Sequence, residues 1–120
     1  MATIKSFTDI SQSKKLAEIL TLESADMNYW CGTQIRIGGH RTMDKDFDVP
    51  CWSLTALLGV LPMITKGKDT ANPFIAKASD NEYYVVYATL TEEVESSAIY
   101  DNPVDACYEL IIRLNELNLL

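Results

Sequence analysis

The chain has 120 residues, of which 48% are hydrophobic and 22% charged, and its formal net charge is -7 at pH 7. This composition is typical of a globular protein, and the length fits a single domain over residues 1–120. The longest apolar run, residues 54–63, is interrupted by Thr55 and Pro62. Because a helix needs about 20 mostly apolar residues to cross a bilayer, a membrane-spanning helix is excluded.

The N-terminal segment lacks the apolar stretch of a secretory signal, because charged residues begin at Lys5 and Asp9. We therefore expect a cytoplasmic protein with reduced thiols. Its three cysteines, Cys31, Cys51 and Cys107, are an odd number. They predict side chains packed in the core rather than a disulfide framework.

The acidity of the chain is concentrated in its last third. Residues 79–120 contain nine acidic side chains and a single basic one, Arg113, whereas residues 1–78 contain eight acidic and nine basic side chains. The net charges are therefore -8 and +1, which together give -7. A one-sided acidic surface repels nucleic acid and attracts basic protein surfaces.

The first 48 residues predict one helix and one short strand. Asp9 or Ser11 can cap a helix that continues to about Leu20. Residues 33–37 alternate polar and apolar side chains before the Gly38-Gly39 turn, which predicts a half-buried strand. Residues 23–30 show no clear period and receive no assignment, and the polar residues 40–48 predict an exposed loop.

The middle of the chain predicts a buried helix. Residues 50–61 are apolar on nearly every face, begin with Pro50 and are stopped by Pro62. A helix that is apolar all round is a buried helix. We therefore expect a central core helix that carries Cys51 and Trp52.

A β-hairpin is expected after a loop at residues 63–73. Residues 74–78 and 83–90 are rich in aromatic and β-branched side chains, and the polar residues 79–82 between them predict a turn. The following segment carries an acidic cluster, Glu92, Glu93 and Glu95, without a basic neighbour in the sequence. We expect that cluster in a solvated loop, before a short edge strand at residues 98–100.

The C-terminal helix is the best specified element. Asn102 can cap it, Pro103 fits its first position, and Asp105 lies in its first turn. Apolar residues at three- and four-residue spacing form one stripe, which comprises Val104, Cys107, Leu110, Ile111, Leu114 and Leu117. The sequence therefore predicts an α+β fold, in which a small antiparallel sheet with a central hairpin packs against a buried central helix and an amphipathic C-terminal helix.

Three blocks of the chain carry a resemblance to other proteins. They are KLAEIL and LESADM within residues 15–27, PCWSL through LP within residues 50–62, and DNPVDAC at residues 101–107. The chain resembles small uncharacterised proteins carried by phages and integrated mobile elements of gut anaerobic bacteria. The resemblance implies an accessory factor that acts on a host or phage protein, and it transfers no catalytic residue, cofactor or ligand.

The cysteines and the single histidine, His40, could serve in catalysis or metal binding, or the cysteines could pack in the core. Cys51 near a predicted helix N-terminus, with His40 as the base, could form a cysteine nucleophile. The apolar neighbours of Cys51 favour a buried thiol instead. A zinc site from the cysteines and His40 is disfavoured because no two of them stand two to four residues apart, so neither a metal nor a cofactor is predicted.

The sequence thus favours a non-enzymatic module that binds a basic surface of another protein through Glu92, Glu93 and Glu95. A nucleic-acid-binding protein is one form of that partner, while direct binding of nucleic acid is disfavoured because the tyrosines of the hairpin have acidic neighbours. Two alternatives stay open. One is a small cysteine-dependent enzyme that uses Cys51 and His40, and the other is a homo-oligomeric structural subunit that buries its tyrosine-rich sheet or leucine-rich C-terminus.

Overall fold

A computed structural model describes residues 4–30, 34–37 and 48–120 of the chain. Its elements in chain order are α1 (Ile10–Ala17), a short 3-10 helix (Leu22–Ser24), β1 (Met27–Trp30), β2 (Gln34–Ile37), β3 (Asp48–Cys51), α2 (Leu54–Val60), β4 (Ile64–Lys66), β5 (Asp69–Ser79), β6 (Glu82–Ala88), β7 (Glu93–Ser96) and α3 (Pro103–Glu116). The predicted α+β class is confirmed. None of these helices is long and apolar enough to cross a membrane.

The strands form two antiparallel sheets. The smaller sheet has the order β2-β1-β3, and the larger one has the order β4-β5-β6-β7. In the smaller sheet Tyr29 lies opposite both Ile35 and Val49. Residues 23–30, which show no clear period in the sequence, thus include the end of the 3-10 helix and the whole central strand of this sheet.

The predicted hairpin is confirmed in the larger sheet. Phe74 of β5 lies opposite Val86 of β6, and Ile75 lies opposite Val85. The predicted loop at residues 63–73 is wrong, because β4 and the first part of β5 form a second hairpin in which Ile64 lies opposite Ala71. Both of these residues are buried while their neighbours are exposed, so the polar outer side of this hairpin made the segment resemble a loop.

Helix α1 starts where its cap predicts. The Asp9 carboxylate accepts a hydrogen bond from the Gln12 backbone NH, and the Gln12 side chain accepts one from the Asp9 NH. This reciprocal capping box satisfies two backbone donors at the helix start. The helix places Leu16, which is fully buried, in the main core.

The predicted central helix starts four residues later than expected. Pro50 and Cys51 belong to β3, where Pro50 lies opposite Asn28, and the helix is capped by Ser53, whose hydroxyl accepts a hydrogen bond from the Ala56 NH at 3.2 Å. Strand β3 is an edge strand among the described residues, and an edge strand tolerates the missing NH of proline. Helix α2 is therefore short, and Leu57 is its only fully enclosed residue.

Helix α3 forms as predicted and anchors the core. Asn102 accepts a hydrogen bond from the Asp105 NH at 2.8 Å, and Pro103 is the first helical residue. The helix packs on β6 and α2, and five residues of its apolar stripe are fully buried: Val104, Cys107, Leu110, Ile111 and Leu114. Leu117 is 52% exposed, so core contact ends one turn earlier than the stripe predicts.

The predicted edge strand at residues 98–100 is reduced to one bridge. Tyr100 exchanges two backbone hydrogen bonds with Tyr83, at 2.7 and 2.8 Å. This bridge fixes the chain between β7 and α3 against the start of β6. It thereby holds Tyr100 beside the outer side of α3.

Candidate functional site

The acidic cluster lies at the edge of the larger sheet. Glu93 and Glu95 belong to β7, the terminal strand of that sheet among the described residues, and Glu92 directly precedes it. Thr89 fixes the turn, since its NH donates to the Glu92 carbonyl at 2.9 Å and its hydroxyl accepts from the Glu92 NH at 3.2 Å. The predicted solvated loop is therefore wrong for Glu93 and Glu95, which lie in a strand.

Glu95 has a basic neighbour in space. Its carboxylate accepts a hydrogen bond from the Arg113 guanidinium at 2.7 Å. Glu95 lies opposite Tyr87 in the register of β6 and β7, and Tyr87 is buried in the core with α3. Residues directly opposite share a face of the sheet, so Glu95 points towards α3. The interpretation that the cluster lacks a basic neighbour is thus wrong for Glu95.

Arg113 joins α3 to β7, and Glu109 joins α3 to the segment after β7. The Arg113 guanidinium also binds Glu109 at 3.0 Å and donates to the Ser96 carbonyl. The second carboxylate oxygen of Glu109 accepts a hydrogen bond from the Ala98 NH at 2.7 Å. The hydrogen bond with Glu95, supported by the negative charges of both glutamates, raises the pKa of Arg113. Both terminal nitrogens of the guanidinium therefore have partners within the protein.

A groove of about 330 Å³ runs along the outer side of α3. It is lined by Tyr100, Tyr108, Glu109, Ile112, Arg113 and Glu116. The four residues from 109 to 116 follow three- and four-residue spacing and therefore share one side of the helix. Tyr100 forms the opposite wall. Partial burial, together with the neighbouring Glu109 carboxylate, raises the pKa of Tyr100, so the phenol stays neutral.

The groove and β7 together form a surface with more carboxylates than cations. Arg113 neutralises part of the charge of Glu95 and Glu109. Glu93 and Glu116 are exposed, and neither forms an ion pair within the part of the chain that the structure describes. We call these carboxylates, Glu92, Glu93 and Glu95 at the β7 edge and Glu109 and Glu116 on α3, the acidic face. Glu93 lies opposite Ala88 and therefore points to the other side of the sheet from Glu95.

The thiol of Cys51 is enclosed by a polar cluster. Cys51 is fully buried in β3, its Sγ donates to the Thr8 carbonyl at 3.4 Å, and the Thr8 hydroxyl lies 2.7 Å from that of Ser13. Desolvation by burial raises the pKa of the Cys51 thiol, against the opposing hydrogen bonds from Thr8 and Ser13. The predicted position at a helix N-terminus is wrong, because Cys51 lies in β3. The net rise of the thiol pKa disfavours a thiolate.

Of the other residues considered as nucleophile, base or metal ligand, the structure describes only Cys107. His40 and Cys31 lie outside the described residues, as do the predicted Gly38-Gly39 turn and residues 40–47 of the predicted exposed loop. Cys107 is fully buried in α3, and burial raises the pKa of its thiol to about 12. Within residues 4–30, 34–37 and 48–120, no three His, Cys, Asp or Glu side chains are grouped so as to hold a metal ion.

Sequence reasoning missed the contribution of Arg113 and of the two groove tyrosines. One signal was present, because Glu109 and Arg113 stand four residues apart on a helix and such pairs meet. Another signal was that Arg113 is the single basic residue of the acidic third. The position of Tyr100 depends on its bridge to Tyr83, and no local pattern predicts that contact.

Comparisons with models of protein families, with curated proteins and with solved structures found no match for this chain. The resemblance to phage and mobile-element proteins therefore stays a prediction. What the chain binds has to be inferred from the surface described above.

Proposed function

We propose that this protein is a non-enzymatic protein-binding module whose acidic face binds a basic surface of another protein. The observation that carries the proposal is the 2.7 Å contact between Glu95 and Arg113. This contact holds β7 against α3, so that Glu95 and Glu109, from two distant parts of the sequence, meet at one guanidinium. A folded, contiguous charged surface can recognise a partner, whereas scattered charges mainly confer solubility.

The electrostatics of the acidic face favour a basic partner. Residues 79–120 carry a net charge of -8, and their only cation, Arg113, is bound by Glu95 and Glu109. Glu93 on β7 and Glu116 on α3 are both exposed. Such a surface accelerates the approach of a positively charged partner. The attraction weakens as salt is added, because at about 0.1 M salt exposed charges are screened beyond about 10 Å.

A nucleic-acid-binding protein is one form of this partner. The basic groove of such a protein is built to neutralise phosphates, and a rigid set of carboxylates competes for the same groove. Direct binding of nucleic acid by this chain is disfavoured by its own acidic face. In the mobile-element setting that the sequence resemblance implies, the partner would be a host or phage protein.

The two alternatives differ in their support. The cysteine-enzyme hypothesis loses its main premise, because Cys51 is fully buried in a strand. Self-association keeps one specific observation in its favour: apolar side chains are exposed on β5 and at the C-terminus, with Phe74 at 48% and Leu117 at 52%. Light scattering across a range of protein concentrations tests it, since a self-associating chain gains mass as concentration rises.

The proposed function is tested by charge reversal at two matched places. The first variant, Glu93→Lys with Glu116→Lys, reverses two exposed carboxylates of the acidic face. The control, Asp80→Lys with Glu82→Lys, makes the same change of charge at two exposed positions, one in the turn between β5 and β6 and one at the first residue of β6. Glu95 is left intact because its loss would release Arg113 and confuse folding with binding.

Each tagged protein is used as bait in the cells that make it, and the captured proteins are quantified by mass spectrometry. A basic protein captured by the parent is then purified and its affinity measured by calorimetry. We expect the acidic-face variant to lose this partner and the control to keep it. Retention by both variants, or equal loss from both, contradicts a located binding surface.

A further inference from the structure

We infer that the groove between Tyr100 and Tyr108 holds the side chain of a single arginine of the basic partner. This inference rests on the proposed function and narrows it, since it assigns the contact that orients the partner. The groove measures about 330 Å³. This volume lies at the lower end of the range for ligand sites, about 300–1,000 Å³, and is large enough for one long side chain.

The lining of the groove matches the chemistry of a guanidinium group. Tyr100 and Tyr108 supply two aromatic rings, and Glu109 and Glu116 supply carboxylates on the same side of α3. A planar guanidinium stacks on aromatic faces and binds carboxylates through paired hydrogen bonds, whereas an ammonium group is a compact point charge. The lining therefore favours arginine over lysine.

The groove already contains one example of this pairing. The Arg113 guanidinium lies at its edge and binds Glu95 and Glu109 from within the chain. Glu116 lies one helical turn further along the same side, is exposed, and forms no ion pair among the residues described. A guanidinium from a partner can bind Glu116 as Arg113 binds Glu109.

An anionic occupant is disfavoured by the same contacts. Arg113 is the only cation in the lining, and its two terminal nitrogens are directed to Glu95, Glu109 and the Ser96 carbonyl. A phosphate or carboxylate would face Glu116 and would compete with Glu95 and Glu109 for the Arg113 guanidinium. The net charge of the groove thus selects a cation.

The walls of the groove are held in place without a partner. Tyr100, Tyr108 and Ile112 are all partly buried and pack against the main core. The backbone of Tyr100 is fixed by its two hydrogen bonds to Tyr83. A preformed site loses little side-chain freedom when it binds, so the groove is suited to anchor an otherwise mobile side chain.

The test uses the full chain, labelled with 15N, and three short peptides of the same length. One carries arginine, one carries lysine at the same positions, and one carries citrulline, which has nearly the shape of arginine but no charge. Amide chemical shifts report where each peptide binds. We expect the arginine peptide to shift the amides of Tyr108, Ile112 and Glu116, with about two- to fivefold higher affinity than the lysine peptide and no binding of the citrulline peptide.

Two variants and one control separate the groove from the rest of the acidic face. Tyr108→Leu and Glu116→Gln should each weaken the arginine peptide by about two- to fivefold. Glu93→Gln, which also removes one exposed carboxylate but lies on β7, should change the affinity by less than about twofold. Far-ultraviolet circular dichroism and melting curves check that each variant keeps its fold.

The outcomes distinguish the two proposals. If basic peptides shift only the amides of residues 92–96 and Tyr108→Leu has no effect, the groove assignment is overturned while the acidic face remains a binding surface. If no basic peptide shifts any amide of the acidic face, both proposals fail. Equal affinity for arginine and citrulline peptides would also overturn the groove assignment, because charge would then play no part.

Discussion

Lys5 and Asp105 form an ion pair of 2.8 Å that connects the segment before α1 to the first turn of α3. Lys5 also reaches Asp9 at 3.0 Å and the Gln12 side chain at 2.8 Å, and Gln12 in turn donates to Asp105 at 2.8 Å. Asp105 lies in the first turn of α3, where a negative charge is favoured by the helix dipole. The start of α3 is thus tied to the segment that precedes α1. Asp105 lies on the same side of the helix as Tyr108, Glu109 and Ile112, which line the proposed groove.

Replacing Asp105 by asparagine should weaken this connection. Asp105→Asn keeps the shape of the side chain but removes the charge that Lys5 and Gln12 bind. We expect the free energy of unfolding at pH 7 to fall by about 1–2 kcal/mol, measured by urea denaturation. Asp80→Asn, which changes an exposed turn residue, serves as the control and should cost less than about 0.5 kcal/mol.

The same variant should make the stability less sensitive to acid. Partial burial raises the pKa of Asp105, but hydrogen bonds from Lys5, Asn102 and Gln12 outweigh it and lower this pKa below 3.8. A carboxylate with a lowered folded-state pKa adds stability above its unfolded pKa, and this stability is lost as the pH falls through the folded-state value. The difference in the free energy of unfolding between parent and variant should have its full size at about pH 6 and shrink below about pH 4. A difference that stays constant down to about pH 2 would contradict this assignment.

The contact between Glu95 and Arg113 should be detectable as a coupling energy. In a double-mutant cycle of Glu95→Gln and Arg113→Met, we expect a coupling of about 0.5–1 kcal/mol, because both side chains are about one-third exposed. Arg113→Met should cost more than Glu95→Gln, since Arg113 also binds Glu109 and the Ser96 carbonyl.

A matched cycle on Lys15 and Glu18 provides the reference for that measurement. This pair is 3.7 Å apart with side chains 52% and 71% exposed, so its coupling should be close to zero. Both cycles are measured by urea denaturation at low and high salt. Equal couplings for the two pairs would mean that the contact with Glu95 does not hold β7 against α3.

The thiols of Cys51 and Cys107 should react only when the protein unfolds. Both are fully buried, and burial raises the pKa of each. A thiol reagent followed by peptide mass mapping should label neither position in the native protein and both in denaturant. Rapid modification of native Cys51 would restore the cysteine-enzyme hypothesis, because it would require an accessible thiolate.

The parts of the fold that the sequence predicts are those fixed by local contacts. Helix α3 has its cap at Asn102, its Pro103 and its apolar stripe within one segment. The hairpin of β5 and β6 has both strands and the turn in sequence. By contrast, Pro50 and Cys51 are compatible with a helix or a strand, and their pairing with β1 across more than twenty residues decides between the two.

The acidic face, too, is predictable from the sequence only where its contacts are local. The charges themselves are visible in the sequence, and so is the spacing of Glu109 and Arg113. The contact of Glu95 with Arg113 depends on which side of β7 faces α3, and the register with Tyr87 sets this side. Because a register is a tertiary property, the sequence pattern alone assigns Glu95 to solvent.

Leu57 and Leu58 should differ in their contribution to the core, although the apolar run at residues 50–61 suggests that both are essential. Leu57 of α2 is fully buried in the main core, whereas Leu58 is only partly buried. Leu57→Ala should lower the free energy of unfolding by about 2–5 kcal/mol, and Leu58→Ala by less than about 2 kcal/mol. The corresponding aspartate variants extend the test: Leu57→Asp should abolish cooperative melting, whereas Leu58→Asp should leave a folded protein. Equal losses in the two alanine variants would show that α2 is enclosed on both sides, as its sequence alone predicts.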